Sequence, residues 1–264
     1  MKFISSVLLV ATVIVLGACA ESPTGRRQML LFSNSEMSQM GATAFDEMKE
    51  KMTVSANART NRYVGCVANA ITAGLTGEWQ GDWEVVVFEE DSANAFALPG
   101  KKIGVHTGIL KVAKTSDQLA TVLGHEVAHV LAHHSAERMS LQSVAGTGSQ
   151  LIAVLLGDSA QKQTVMGLLG LGAQFGVVLP YGRAQESEAD VVGLDLMAKS
   201  GFNPEASVQL WENMSAASQG QPPEFMSTHP SHATRISDLQ KRMKKAKPLY
   251  EQAKSLGIRP SCSA

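Results

Sequence analysis

The stretch Gly124-His125-Glu126-Val127-Ala128-His129 decides how this chain is read. Two imidazoles stand four residues apart, with a carboxylate beside the first, inside an apolar run. Thr115, with Gln118 three residues on, predicts a capped helix start, and Asp117 suits the positive end of its dipole. Leu119, Val122, Leu123, Val127, Val130 and Leu131 then supply the apolar positions of a mostly buried helix. At helical pitch, side chains at i and i+4 share a face, so His125 and His129 can reach one ion. Glu126 projects from the edge of that face, where it can touch a water beside the metal without binding the metal itself. Hydrolysis of peptides by zinc uses this arrangement.

Two histidines and a base do not complete a catalytic zinc site, which takes three protein ligands and a water. A third histidine continuing the same motif would fall at position 135, which is Ser135. His133 and His134 are candidates by proximity, but one helix does not easily wrap three ligands around an ion. The run Arg183-Ala184-Gln185-Glu186-Ser187-Glu188-Ala189-Asp190 fits better. It follows the turn signal Pro180-Tyr181-Gly182 and leads into Val191 to Met197, which has helical periodicity. Glu186 and Asp190 share a face, so one carboxylate can bind metal while the other orients a histidine ring.

Four pieces now stand in order: Asn94-Ala95-Phe96-Ala97-Leu98-Pro99-Gly100, His125 to His129, Glu186 to Asp190, and Ser227-Thr228-His229-Pro230 with Arg235-Ile236. This ordered set resembles the gluzincin metallopeptidases that include HtpX and the CAAX prenyl proteases, and among them the LoiP-type periplasmic lipoproteins. The resemblance implies an α+β, predominantly helical, zincin-like metallopeptidase domain with a small β-sheet edge and an active-site helix. It implies one zinc ion per chain held by His125, His129 and Glu186, with Glu126 as general base and Asp190 behind the ligands. His229 and Arg235 correspond to residues lining the active cleft. The strand near Asn94 and Ala95 is expected to lie at a sheet edge and pair with extended substrate backbone.

The chemistry can be argued from the residues as well. Glu126 would take a proton from the attacking water and pass it to the leaving amine. The developing oxyanion needs a donor, and His229 qualifies because Pro230 holds the preceding residue out of helical geometry. A further hypothesis has His229 binding zinc directly and holding the enzyme latent.

The N-terminus bears on location. Lys2 precedes an apolar run from Val7 to Val15, then Leu16-Gly17-Ala18-Cys19. That pattern reads as a secretory signal over residues 1–18, and Cys19 resembles a lipobox cysteine. Lipidation there, followed by Ala20, implies anchoring at the periplasmic face of the bacterial outer membrane. Residues 19–32 read as a lipidated tether, 33–247 as the zinc metallopeptidase domain and 248–264 as a C-terminal tail. Removing Lys2 with the leader leaves 22 basic against 24 acidic residues, which gives no reason to propose nucleic acid as a partner. Cys66 and Cys262 remain, and an oxidising periplasm suggests that they form a disulfide.

The expected elements follow from local signals. Ser33 with Glu36 caps a helix towards Met52, a second helix covers Asn61 to Ala73, and Asn203-Pro204-Glu205 begins another. Trp83 to Phe88 and Ile103 to Val105 are β-rich, with a turn at Pro99-Gly100 between them. His106 reads as a packing residue. The apolar stretch from Leu151 to Leu179 reads as a helical hairpin covering the site, since neither half is long enough to span a bilayer. The basic cluster Lys241, Arg242, Lys244, Lys245 and Lys247 precedes Pro248 as at a helix end. The function read from all this is cleavage of misfolded or unassembled envelope proteins. The alternative is a periplasmic chaperone or outer-membrane assembly factor with latent proteolysis, working with the assembly machinery.

Overall fold

The computed structural model describes residues 19–144, 182–217, 224–229 and 234–263. Residues 1–18, read as a secretory signal, and the apolar stretch from 151 to 179 lie outside the described residues. Among the described residues no helix is long and apolar enough to cross a membrane.

The stretch expected as a tether is ordered structure. Strands β1 (Cys19–Glu21) and β2 (Arg27–Met29) form an antiparallel hairpin, with Gly25 at φ 85° in its turn. Pro23 and Gly25, which suggested a linker, make the turn instead. Arg26 holds the hairpin down with a two-pronged bond to Glu137. Helix α1 (Asn34–Lys51) begins at Ser33, which forms a reciprocal capping box with Glu36. Helix α2 (Ala58–Thr72) starts three residues before Asn61, because Asn57 Oδ1 accepts from the Arg59 and Thr60 amides.

Three strands, β3 (Glu84–Phe88), β4 (Ala95–Leu98) and β5 (Lys102–His106), form a sheet in the order β3-β5-β4. β5 runs parallel to β3 and antiparallel to β4, with Ala97 opposite Ile103. Gly100 at φ 86° and Lys101 at φ 62° make the tight turn between β4 and β5. On one face, Phe45 of α1 packs edge-on against Phe88 and Phe96. His106 sits between those two phenylalanines and bonds to Ser92, a packing role.

The other face meets the main core, built from α2, α3 (Ser116–Leu131), α5 (Arg183–Lys199), α6 (Ala206–Ala217) and α8 (Arg235–Ser255). A short helix α4 over 134–144 follows α3, and α7 (Glu224–Thr228) is a single turn. Thr115 caps α3 by accepting from the Gln118 amide, while the Gln118 side chain reaches past it to the Lys114 amide. α3 and α5 touch backbone to backbone: a Cβ on Gly193 would fall 2.8 Å from the Gly124 carbonyl. Only paired glycines permit that approach, and it sets the helix carrying His125 and His129 against the helix carrying Glu186 and Asp190.

Helix α8 does not end at Pro248 but runs through it, so the basic cluster lies mid-helix. The missing amide frees the Lys244 carbonyl, yet both residues are exposed and water can satisfy it. Within the cluster Arg242 pairs with Asp195 and Lys247 with Glu205. Beyond the helix, Cys262 forms a disulfide with Cys66 of α2, closing a separation of 196 residues.

Candidate metal centre

His125, His129 and Glu186 converge from α3 and α5, and His229, just after α7, joins them. All four are buried, and one nitrogen or oxygen from each lies within 4.8 Å of the others. His125 Nε2 stands 3.0 Å from His129 Nε2, 3.3 Å from His229 Nδ1 and 3.5 Å from Glu186 Oε2. Glu186 Oε1 lies 3.4 Å from His129 Nε2 and 3.1 Å from His229 Nδ1. Atoms at the corners of a tetrahedron with bonds of about 2.0–2.1 Å to zinc sit about 3.3–3.4 Å apart. Lone pairs on two ring nitrogens repel when they face each other at this range, unless a proton or a metal cation lies between them. The donor set therefore fits a zinc ion, with the three rings and Glu186 as its holders.

The electrostatics agree with a cation site. Burial opposes ionisation of Glu186, but His125, His129 and His229 outweigh it and hold that carboxyl far below its ordinary range. Burial likewise opposes a charged His125, yet its bonds to Asp190 and Glu186 push it up to about 9. Burial, with His125 and His229 adding to it, keeps His129 well below its ordinary value and hence neutral, as a ligand must be.

Glu126, expected as the base, lies beside the cluster, 3.3 Å from His229 Nε2. Glu126 is 2% exposed, and burial pushes its carboxyl up, towards the range useful for proton transfer. The Ala97 backbone N–H of β4 donates to this carboxylate. Among the described residues its Oε1 accepts no hydrogen bond, although His229 Nε2 is 3.3 Å away.

Asp190 lies 3.0 Å from His125 Nδ1, so with Nε2 turned to the cluster the Nδ1–H donates to it. Arg235 does not line an open cleft. It is 1% exposed, stacks on Trp211 at 3.7 Å, and donates to Glu186 Oε2 at 2.9 Å and Asp190 Oδ1 at 2.7 Å. Its place is behind the ligands, fixing one carboxylate relative to the other.

His229 Nδ1 lies where an open fourth corner was expected, 3.3 Å from His125 Nε2 and 3.1 Å from Glu186 Oε1. The edge strand is likewise partly closed. Asn94 Oδ1 accepts from the Ala95 amide at 2.9 Å, and the Phe225 amide of α7 donates to the Ala93 carbonyl at 3.1 Å.

His133 and His134, raised as alternative ligands, stand outside the cluster. His133 packs at a tilt against Trp79, with ring centres 5.4 Å apart, and burial holds His134 below its ordinary value. Sequence reasoning raised His134 only as a ligand and gave Glu188 no role. His134 lies against His129, and Glu188 binds His134. Glu188 is two residues from Glu186 and off the face shared with Asp190, so helical periodicity gave it no role.

A buried helix presenting two imidazoles and a base, completed by a glutamate from a second helix, defines a zincin-type metallopeptidase. The chain belongs to peptidase family M48, whose model matches residues 56–243. It is 38% identical over 189 residues to the mitochondrial metalloendopeptidase OMA1 of Schizosaccharomyces pombe, covering 71% of this chain and 54% of that protein. It is 34% identical to OMA1 of Danio rerio over 92% of this chain and 54% of that one. It is 30% identical to the beta-barrel assembly-enhancing protease of Escherichia coli over 63% of this chain and 36% of that protein. The chain thus spans about half the length of the relatives it matches, or less.

Proposed function

We propose that this chain is a zinc-dependent endopeptidase of the bacterial envelope, held at the periplasmic face of the outer membrane by lipid on Cys19, that cleaves misfolded or unassembled envelope proteins. The observation that carries the activity is the convergence of four buried donor atoms beside the buried carboxylate of Glu126. When bound, zinc supplies a Lewis acid that makes water nucleophilic near neutral pH and polarises a peptide carbonyl. Glu126 takes the proton from the attacking water and returns it to the departing amine. Ala97 steadies this base through its amide, and Asp190 and Arg235 hold His125 and Glu186 in place. The envelope location is supported by Lys2, the apolar run to Val15 and the Gly17-Ala18-Cys19 pattern, and by the similarity to an Escherichia coli protease named for β-barrel assembly. The disulfide is in keeping with an oxidising compartment.

One observation favours a second reading, that of an assembly factor or chaperone with latent proteolysis. His229 occupies the corner that a substrate or water needs, and α7 bonds to the edge strand. Glu126→Gln separates the readings. It should retain zinc while losing cleavage of an unfolded protein, and hydrolysis by the zinc-loaded variant would defeat Glu126 as base. If cellular function persists without hydrolysis, the assembly reading stands. Membrane fractionation of Cys19→Ala tests the anchor, and unchanged sedimentation with the outer membrane would dispose of it.

A further inference from the structure

We propose that His134 is a positioning residue for the metal ligand His129, and that the N-terminal hairpin holds it in place through Glu188. The proposal rests on the zinc-site reading and extends it to a part of the chain remote from the metal.

The hydrogen bonds leave one assignment of protons. His129 turns Nε2 to the cluster, so its Nδ1 carries the hydrogen. That Nδ1 lies 2.8 Å from His134 Nδ1, which must therefore be the acceptor. A neutral His134 then carries its hydrogen on Nε2, and this atom lies 3.1 Å from Glu188 Oε2. The line runs from ligand ring to fully buried ring to carboxylate, with each donor facing one acceptor. His125 meets its carboxylate, Asp190, directly, whereas His129 meets Glu188 through one intervening imidazole. One helix, α5, thus supplies the ligand Glu186 and the carboxylates behind the two ring ligands of α3.

The backbone is shaped for this. His133 takes the left-handed conformation at φ 52°, which ends α3 and restarts the chain as α4 with His134 turned back beneath His129.

The far end of the line belongs to the hairpin. Glu188 accepts from the Ser22 hydroxyl, from Thr24 Oγ1 at 2.6 Å, from the Thr24 amide at 3.2 Å and from Arg26 Nε at 3.0 Å. These four donors come from the turn between β1 and β2, and they are a large share of what holds this carboxylate. Loosening the turn should free Glu188 to rotate, let His134 drift and widen the orientations of the His129 ring. Partners of this kind typically change metal affinity ten- to a hundredfold.

The test titrates the purified chain with zinc against a chromophoric chelator and records the visible absorption of the cobalt-loaded form. His134→Leu should weaken zinc binding ten- to a hundredfold and shift the cobalt bands. His134→Gln can both accept from His129 and donate to Glu188, so it should recover most of that affinity. The double variant Ser22→Ala with Thr24→Val touches neither histidine, yet it should weaken zinc binding in the same direction by a smaller factor. If His134→Leu does not fold, this hairpin variant decides. Wild-type affinity and an unshifted cobalt spectrum in folded His134→Leu, or in the hairpin variant, would overturn the relay alone. Absence of zinc binding by the unaltered chain would overturn both the relay and the proposed function.

Discussion

Replacing Gly193 with alanine probes the contact on which the site depends. The new methyl would sit 2.8 Å from the carbon and oxygen of the Gly124 carbonyl and from the His125 amide nitrogen, where ordinary contact begins near 3.4 Å. These are backbone atoms of a packed helix, so no side chain can swing away. Helices α3 and α5 must part by about 0.6 Å. Metal–ligand distances tolerate only about 0.2 Å, and Glu186 lies across the gap from both rings, so zinc affinity should fall at least tenfold. Stability is a balance of two effects. Alanine in a helix interior gains about 1 kcal/mol over glycine, while overpacking costs about 1–3 kcal/mol. The metal-free protein should therefore lose up to about 2 kcal/mol. Gly65→Ala provides the control, because a Cβ there, inside α2, meets nothing within 4 Å. It should gain up to about 1 kcal/mol and leave zinc binding unchanged. Denaturant melts in chelator, with zinc titration of both variants, make the comparison. A Gly193→Ala protein as stable as Gly65→Ala, with wild-type zinc affinity, would refute the reasoning.

Other consequences can be checked independently. Cys66→Ser opens a closure spanning 196 residues, and a loss of about 2–5 kcal/mol is expected in denaturant melts under oxidising conditions, with no loss when wild type and variant are compared in reductant. Burial raises the Glu137 carboxyl, but Arg26 and Gln185 outweigh it and hold the group below its ordinary value of 4.5. A depressed folded value gives stability that is present above about pH 4.5 and lost as pH falls through the folded value. Glu137→Gln should therefore lower stability at pH 7 by about 1–3 kcal/mol and flatten the acid limb of the stability curve. Because His229 fills the fourth corner, His229→Ala should weaken zinc binding while raising the rate at which an unfolded protein is cut. A fall in rate with zinc still bound would instead favour an oxyanion role.

Legibility from the sequence followed the range of the interactions involved. His125 and His129 were readable because helical spacing alone puts them on one face, and the caps at Ser33 and Thr115 because their partners lie three residues away. Glu186 needed a second helix and was reached by requiring a third ligand. The role of Glu188 was hidden because its partners, at Ser22, Thr24, Arg26 and His134, are distant in the chain. The hairpin was missed for a related reason: Pro23 and Gly25 mark a turn and a linker equally well, and only the pairing of Arg26 with Glu137 tells them apart. Pro248 misled because its cost depends on whether the freed carbonyl meets water, which only the packed helix reveals.

The border of β4 has a bearing on solubility. A strand with bare amides and carbonyls is a template for any extended chain, and a protein that meets unfolded neighbours would be a ready nucleus for clumping. Here alternate groups along that border are already taken: the Ala93 carbonyl by Phe225, the Ala95 amide by Asn94 and the Ala97 amide by Glu126. The His229 amide bonds to the Phe225 carbonyl, so the same short turn guards the border and carries the fourth donor. The residues that cover one end of this border thus also place the fourth donor beside the metal site.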